Sequence, residues 1–443
     1  MRKPLYLVGL AFLLAQWSPA AIAAGPGAAA STFLFLAIAL LAARMAGFLE
    51  RFGQPAVLGE LLVGVVLGNL GLDFFDRVRD DALIGFLAEL GVVILLFQIG
   101  LESDLASLRR VGARAMSVAV IGVAAPMGLG LALGPLLLPG QPTNTYLFLG
   151  AALAATSVGI TGRVFRDLGA LDSSEARIVL GAAVIDDVLG LIVLAVVSSI
   201  VAKGSVSVGE VAWIIAQSVA FVIGAVVLGR ALAPPLAKSL ARVHAGEGMK
   251  FTLLLVIGLA LAWAAHGIGL ASIVGAFAAG LFLEPAYLKD FEEPEVVQRL
   301  RVVAGEAEAG TAAKLDAIIK HEVEHHHADL LGPLGYVFVP IFFVHTGMQV
   351  RLETFTDLTL LGVALAITAA AVAGKLLSGI AAGPARKWVV GWGMVPRGEV
   401  GLVFAAVGRE LGAIDPRSFS AIVIMVILTT FISPTVLGRL MRR

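Results

Sequence analysis

The chain contains no cysteine, so it has neither a disulfide framework nor a thiolate metal site. Charge is scarce. Acids and bases together are 14% of the 443 residues, and 32 of each sign cancel to a net charge of zero. A neutral chain this poor in charge presents no nucleic-acid-binding surface. It also lacks a Gly-x-Ser-x-Gly or phosphate-loop pattern, so an enzyme is disfavoured and no cofactor is expected. A receptor is disfavoured by the lack of a sizeable soluble domain.

What remains is apolar. Hydrophobic residues are 59% of the chain and the mean hydropathy is +0.95, more than a soluble core of this size can absorb. They arrive in blocks of roughly 17–25 residues, the length that crosses about 30 Å of hydrocarbon. The chain therefore reads as an all-α polytopic membrane protein in contact with membrane lipid. Its 51 glycines suit helices packed closely through small residues.

Arg2 and Lys3 precede the apolar stretch Leu5–Leu14, and small residues run up to Ala24. Residues 1–24 thus have the layout of a cleavable signal peptide, with an uncleaved short helix as the alternative. About thirteen further spans follow, at 30–48, 54–71, 83–101, 114–138, 144–165, 178–201, 210–233, 250–266, 269–284, 330–349, 358–382, 388–409 and 417–437. With the first running inward, the inner loops hold Arg44/Arg51, Arg109/Arg110/Arg114, Arg163/Arg166/Arg177, Arg230/Lys238/Arg242/Lys250, Arg386/Lys387 and the tail Arg439/Arg442/Arg443. The outer loops Leu138–Thr145 and His266–Leu270 carry no lysine or arginine, and in Asp73–Asp81 four aspartates outnumber two arginines. The positive-inside rule then places the N-terminus outside and the C-terminus, with its short tail 438–443, in the cytoplasm.

A faint repeat is present. Pro55-Ala-Val-Leu-Gly59 with Gly64 has the glycine spacing of Ala271-Ser-Ile-Val-Gly275 with Gly280, an odd number of spans later and so inverted in the membrane. Inverted repeats point to a transporter. Span 144–165 is interrupted by Ala155-Thr156-Ser157-Val158-Gly159-Ile160-Thr161-Gly162, and span 388–409 by Gly393-Met-Val-Pro396-Arg397-Gly398-Glu399. Broken backbone at depth is tolerated where it lines a cavity and meets an ion. Thr156 and Ser157 are also open to a reading as helix–helix hydrogen bonds, and Arg397/Glu399 to one as a surface pair.

Charges at bilayer depth are expensive and are seldom kept without a partner or a task. Asp186-Asp187 lie in 178–201 and Lys375 lies in 358–382; at 1.5 Å per residue, both positions fall about 12 Å from the inner boundary. Adjacent helical residues point about 100° apart, so one aspartate is expected to pair with Lys375 and the other to face a cleft. A carboxylate that holds either a proton or a small cation makes the two compete for one site. Competition with alternating access gives exchange. An ion pair that only fixes packing explains one aspartate and the lysine, not the second aspartate. A channel or a symporter on a related fold is the alternative of a different class.

These residues form ordered words: Gln54-Pro-Ala-Val-Leu-Gly-Glu60, Glu89-Leu-Gly-Val, Phe97-Gln-Ile-Gly-Leu-Glu102, Ala155-Thr-Ser-Val-Gly-Ile-Thr161, Gly181-Ala-Ala-Val-Ile-Asp-Asp-Val-Leu-Gly-Leu191, Ile273-Val-Gly-Ala-Phe277, Pro340-Ile-Phe-Phe343, Gly374-Lys375 and Gly393-Met-Val-Pro-Arg-Gly-Glu-Val-Gly-Leu402. Over most of 30–437 they resemble the bacterial cation:proton antiporter-2 family, NapA-type sodium/proton antiporters in particular. The resemblance implies about thirteen transmembrane helices in the bacterial inner membrane, with two inverted five-helix repeats and two discontinuous crossing helices. It implies a homodimer in which a core bundle (about 114–201 and 358–437) moves against dimerisation helices (about 30–101 and 250–349) like an elevator. It assigns Asp187 to the transported cation and proton, Asp186 to the partner of Lys375, Thr156 and Ser157 to the unwound helix, and Arg397 and Glu399 to the second break. Potassium-efflux relatives of this family replace the first aspartate and add a nucleotide-binding domain. Two aspartates and an end at Arg443 favour sodium, with lithium second and potassium as the alternative.

The long segment 285–329 departs from the family as a cytosolic insertion. It contains an amphipathic stretch, Thr311–Ala328, with Leu315, Ile318, Ile319 and Val323 on one face. His321, His325, His326 and His327 follow on it as a candidate regulatory or metal-binding cluster. The alternative is a solvated helix end.

Overall fold

A computed structural model describes residues 28–441, apart from 53–55, 103–111, 168, 169, 172, 204–207, 284, 307–310, 312, 313, 317, 321, 324–328 and 351–356. The signal-like segment 1–24 and His321, His325, His326 and His327 lie outside the described residues.

All regular structure among the described residues is helical. In chain order the helices are α1 (Ala28–Ala46), α2 (Ala56–Gly68), α3 (Asp73–Arg79), α4 (Ala82–Glu102), α5 (Ala113–Leu137), α6 (Thr143–Ala154), α7 (Val158–Asp167), α8 (Ser174–Lys203) and α9 (Val208–Val243). They continue with α10 (Glu247–Gly267), α11 (Ser272–Phe282), α12 (Glu295–Glu306), α13 (Gly332–Met348), α14 (Leu358–Ser378), α15 (Lys387–Gly393), α16 (Glu399–Glu410) and α17 (Pro416–Met441). Among the described residues, eight helices are long and apolar enough to cross a membrane, and α2, α11 and α13 are shorter apolar helices. Gly71 (φ +67°) turns the chain after α2, and Gly269 (φ +82°) closes the end of α10 before α11 begins. α9 runs ten residues past its expected end, through Pro234 and Pro235. A proline removes its own amide bond, but here the helix continues.

The chain divides into two compact units. The first comprises Met1–Leu90, Ala106–Val211 and Pro340–Arg443. Within it α6, α8 and α14 all pack on α5, α17 packs on α14, and α16 packs on α6. Small residues set these approaches. Gly130 of α5 and Gly150 of α6 meet backbone to backbone, and a Cβ on Gly374 would sit 2.8 Å from the Pro126 Cα. Phe165, Val179, Val390 and Met394 are fully enclosed in the apolar core beside them. In the same unit α1, α2, α3 and residues 340–348 bury Phe35, Phe75, Ile84 and Val344, and Gly64 and Gly347 touch at the crossing of α2 with α13.

The second unit comprises Gly91–Leu105 and Ala212–Val339. Here Gly275 lies on the Leu261 carbonyl of α10, and Gly280 and Gly100 touch where α11 crosses α4. α12, not anticipated from the sequence, is tied by a forked Glu293–Arg301 pair at 2.8 and 2.7 Å. That hydrogen bonding holds the Glu293 carboxyl below its usual range. In the stretch expected to be amphipathic, Ile319 is buried and Ile318 is exposed.

Candidate functional site

α8 begins at Ser173-Ser174, where the Ser173 hydroxyl accepts from the Ala176 amide, and then runs thirty residues without proline or an interior break. That uninterrupted helix carries Asp186 and Asp187 into the interior, with 1% and 8% of their surface exposed. α14 carries Lys375 to meet them: its Nζ donates to Asp186 Oδ1 at 2.8 Å, and both side chains are enclosed. The meeting depends on missing side chains. Gly374 lets α14 settle on Pro126, and a Cβ on Gly122 would stand 3.4 Å from the Lys375 Nζ. Asp186 Oδ2 is buried without a hydrogen-bond partner among the described residues. Asp187, next along the helix, lies within electrostatic range of the same ammonium.

Two helices break beside this cluster. α6 stops at Ala154, Ala155 is extended (φ −58°, ψ 144°), and α7 starts at Val158. α15 stops at Gly393 and α16 starts at Glu399, because Pro396 offers no amide and pushes the residue before it out of helical geometry. The two breaks are bonded to each other. Ser157 N donates to the Pro396 carbonyl at 2.9 Å, and Thr156 Oγ1 to the Met394 carbonyl at 3.2 Å. Thr161 Oγ1 donates to the Gly393 carbonyl at 2.8 Å. Gly398 permits the approach, since a Cβ there would lie 2.6 Å from Ser157 Oγ.

Arg397 is fully buried and is directed to carbonyls. Its Nη1 donates to Met394 and Val395 at 3.1 and 2.7 Å, and its Nη2 to Leu153 and Ala371 at 2.6 and 3.2 Å. Leu153 and Met394 stand at the C-terminal ends of α6 and α15, where the helix dipole is negative. The guanidinium therefore neutralises two half-helix ends at once. Thr430 Oγ1 holds the Arg397 carbonyl from α17, and Ser433 Oγ holds that of Trp392 at 3.0 Å.

Asp186, Asp187, Thr156, Ser157, Lys375 and Arg397 are thus all interior residues of the first unit. Glu399 is the first residue of α16, and only its backbone is described. The sequence reading placed Thr161 in the first broken stretch without giving it a role, and it missed Thr430, Ser433 and Gly122. It also missed Glu175 of α8, which accepts from the Arg386 backbone and side chain at 3.2 and 3.0 Å.

The transmembrane sodium/hydrogen exchanger family matches residues 36–443. The high-affinity Na+/H+ antiporter NhaS3 of Synechocystis sp. is 33% identical over 451 residues, covering 91% of this chain and 88% of its own. The Na+/H+ antiporter of Enterococcus hirae is 32% identical, covering 88% and 92%. The Na+/H+-K+ antiporter GerN of Bacillus cereus is 33% identical, covering 91% and 95%. Among solved structures, the sodium proton antiporter MjNhaP1 of Methanocaldococcus jannaschii superposes with a TM-score of 0.62 at 19% identity, over 92% of this chain and 96% of its own, which shows the fold alone. One correction concerns the segment 285–329: His321-Glu-Val-Glu-His325 spells His-Glu-x-x-His, a pattern of zinc hydrolases that the sequence does contain, contrary to the reading of it as absent. The family that covers the chain is nevertheless one of transporters, not of hydrolases.

Proposed function

Since the chain belongs to the transmembrane sodium/hydrogen exchanger family, we propose that it exchanges protons for a monovalent cation across the bacterial inner membrane, with sodium the main substrate. One observation carries this reading: two adjacent buried acids lie beside the crossing of two broken helices, and a buried lysine is paired to the first of them. Asp187 binds the cation or a proton, never both. Lys375 compensates Asp186 and takes part in the proton count. Thr156 and Ser157 border the site, and Arg397 with Glu399 sets its charge.

The thirteen-span, inverted-repeat architecture belongs to the same proposal. It is supported by a correspondence in the packing: Gly64 of α2 meets Gly347 of α13, and Gly280 of α11 meets Gly100 of α4. Each glycine pair joins a helix of one repeat to a helix of the other. Alternating access by an elevator movement of the core bundle, a homodimer, and an N-terminus outside complete the reading.

Proteoliposomes loaded with a pH dye test it, with sodium, lithium and potassium added in turn. Sodium- and lithium-driven proton efflux that Asp187→Asn abolishes is the expected result, because an amide neither binds a proton nor offers a charge. Retention of more than about a tenth of wild-type exchange, roughly 1.4 kcal/mol in the barrier, would remove Asp187 from the mechanism. Potassium is the second reading, favoured by the Na+/H+-K+ name of one relative. If both Lys375 and Asp187 release a proton for each sodium, exchange moves net charge and responds to a potassium–valinomycin potential. Indifference to that potential would leave antiport standing and take the lysine out of the proton count.

A further inference from the structure

Glu60 is a buried acid that the exchange site does not use. It is the fifth residue of α2, 7% exposed, between the buried Leu58 and Leu61. Its Oε2 is enclosed and has no hydrogen-bond partner among the described residues. An ionised carboxylate is costly in such a place, whereas the neutral acid loses far less on burial.

The packing does not call for an acid here. Gly59 rests on the end of α1, where a Cβ would come 2.7 Å from the Ala46 carbonyl oxygen, and Gly275 rests in the same way on Leu261 of α10. The residue after Gly275 is Ala276, fully buried, and it fills in the second glycine motif the place that Glu60 fills in the first. A methyl group suffices there.

The charged groups around Glu60 are opposed in sign. Arg44, two residues before Ala46 on α1, attracts its charged form, and Glu50 on the turn Gly47–Phe52 repels it. Arg51 of that turn is exposed. The ionisable residues of α3 and α13 belong to the far end of α2: Asp73, Asp76, Arg77 and Arg79 follow the Gly71 turn, and His345 Nε2 stands 3.1 Å from the Arg79 carbonyl.

We propose that Glu60 is a second proton-binding site, separate from Asp186 and Asp187, protonated in its buried position and drawn toward Arg44 when it ionises, and that its occupancy tunes the pH dependence of exchange. The transport readout rests on the antiport reading above; the labelling readout below does not.

Exchange is measured against pH in proteoliposomes for wild type, Glu60→Gln and Glu60→Ala. Glutamine fixes the neutral form, so the midpoint of the profile is expected to move by about one pH unit while the maximal rate stays within about twofold. A midpoint that does not move in Glu60→Gln overturns the proposal, whatever happens to the maximal rate, because a purely structural glutamate alters stability and rate but not the midpoint. Where Glu60→Gln does not assemble, wild-type protein is treated with a lipophilic carbodiimide. The acid proton passes to a carbodiimide nitrogen, the carboxylate oxygen adds to the central carbon, and the adduct rearranges to an N-acylurea with no atom lost. Peptide mass spectrometry that finds Glu60 labelled at acid pH, fading as pH rises and indifferent to sodium, supports the site. No label on Glu60 at any pH overturns it. Abolished exchange in Asp187→Asn with Glu60 labelling intact shows that the two readings stand or fall separately.

Discussion

The two helix breaks face one problem and meet it with opposite chemistry. Each leaves backbone carbonyls without helical partners in an apolar interior, where a bare polar group is expensive. The first break, at Ala155–Ser157, is neutral: its hydroxyls and one amide reach across to the carbonyls of the other. The second, at 394–398, is cationic: Arg397 turns back to its own carbonyls and across to Leu153. A hydroxyl serves one acceptor, while a guanidinium serves several and brings a charge that two helix ends and nearby Asp186 welcome. The cationic break is therefore the one that holds the crossing together, and the neutral one adjusts its fit.

The largest expected effect follows from that inequality. Arg397→Met removes a side chain donating to four carbonyls. Met394 keeps Thr156 and Ala371 lies inside α14, but a buried acceptor left bare costs about 1–3 kcal/mol and the two helix ends lose their countercharge as well, so the change should cost more than any other single substitution at the crossing and abolish exchange. Thermal unfolding in detergent checks it. A melting temperature within a degree or two of wild type would reverse the ranking of the two breaks.

Next in size is the Asp186–Lys375 pair. Removing one partner leaves a buried charge uncompensated, at a cost of about 3–5 kcal/mol, while removing both should cost less than the sum. Detergent melting of Asp186→Asn, Lys375→Gln and the double variant forms the cycle. Strict additivity would mean that the 2.8 Å contact carries no energy and that Arg397 alone supports Asp186.

How much of this was legible in the sequence depends on the kind of contact. The all-helical, membrane-crossing character could be read because apolar blocks are local, and both breaks could be read because glycine, proline and hydroxyl residues interrupt such blocks visibly. Asp186 and Lys375 could be matched by depth alone, since charges are so few. The length of α9 misled because Pro234-Pro235 resembles a stop, and nothing local says that the helix continues. The partners of Thr161, Thr430 and Ser433 were invisible for a different reason. A hydroxyl in a membrane helix ordinarily bonds its own backbone, as Thr429 does to the Met425 carbonyl at 2.9 Å. Only the fold reveals that its neighbour Thr430 serves another element. Gly122 was invisible because a glycine that leaves room for an ammonium looks like any other in a chain with 51 of them.

The smallest expected effect separates the two hydroxyls of the neutral side. Thr161 Oγ1 bonds the last carbonyl of α15 at 2.8 Å, whereas Thr156 Oγ1 reaches Met394 at 3.2 Å, an acceptor that Arg397 already serves at 3.1 Å. Thr161→Val should therefore leave the Gly393 carbonyl short of this donor and cost about 1 kcal/mol, while Thr156→Val, whose acceptor keeps the guanidinium, should cost less than half of that. Valine keeps the β-branched shape, so packing changes little and the difference between the two reports the hydrogen bonds. Melting both variants side by side, each also in the Arg397→Lys background, sharpens the comparison. If Arg397 backs up Thr156, then Thr156→Val should cost more once the guanidinium is gone and Thr161→Val should cost the same. Equal losses from both threonines in both backgrounds would show that the two breaks support each other evenly.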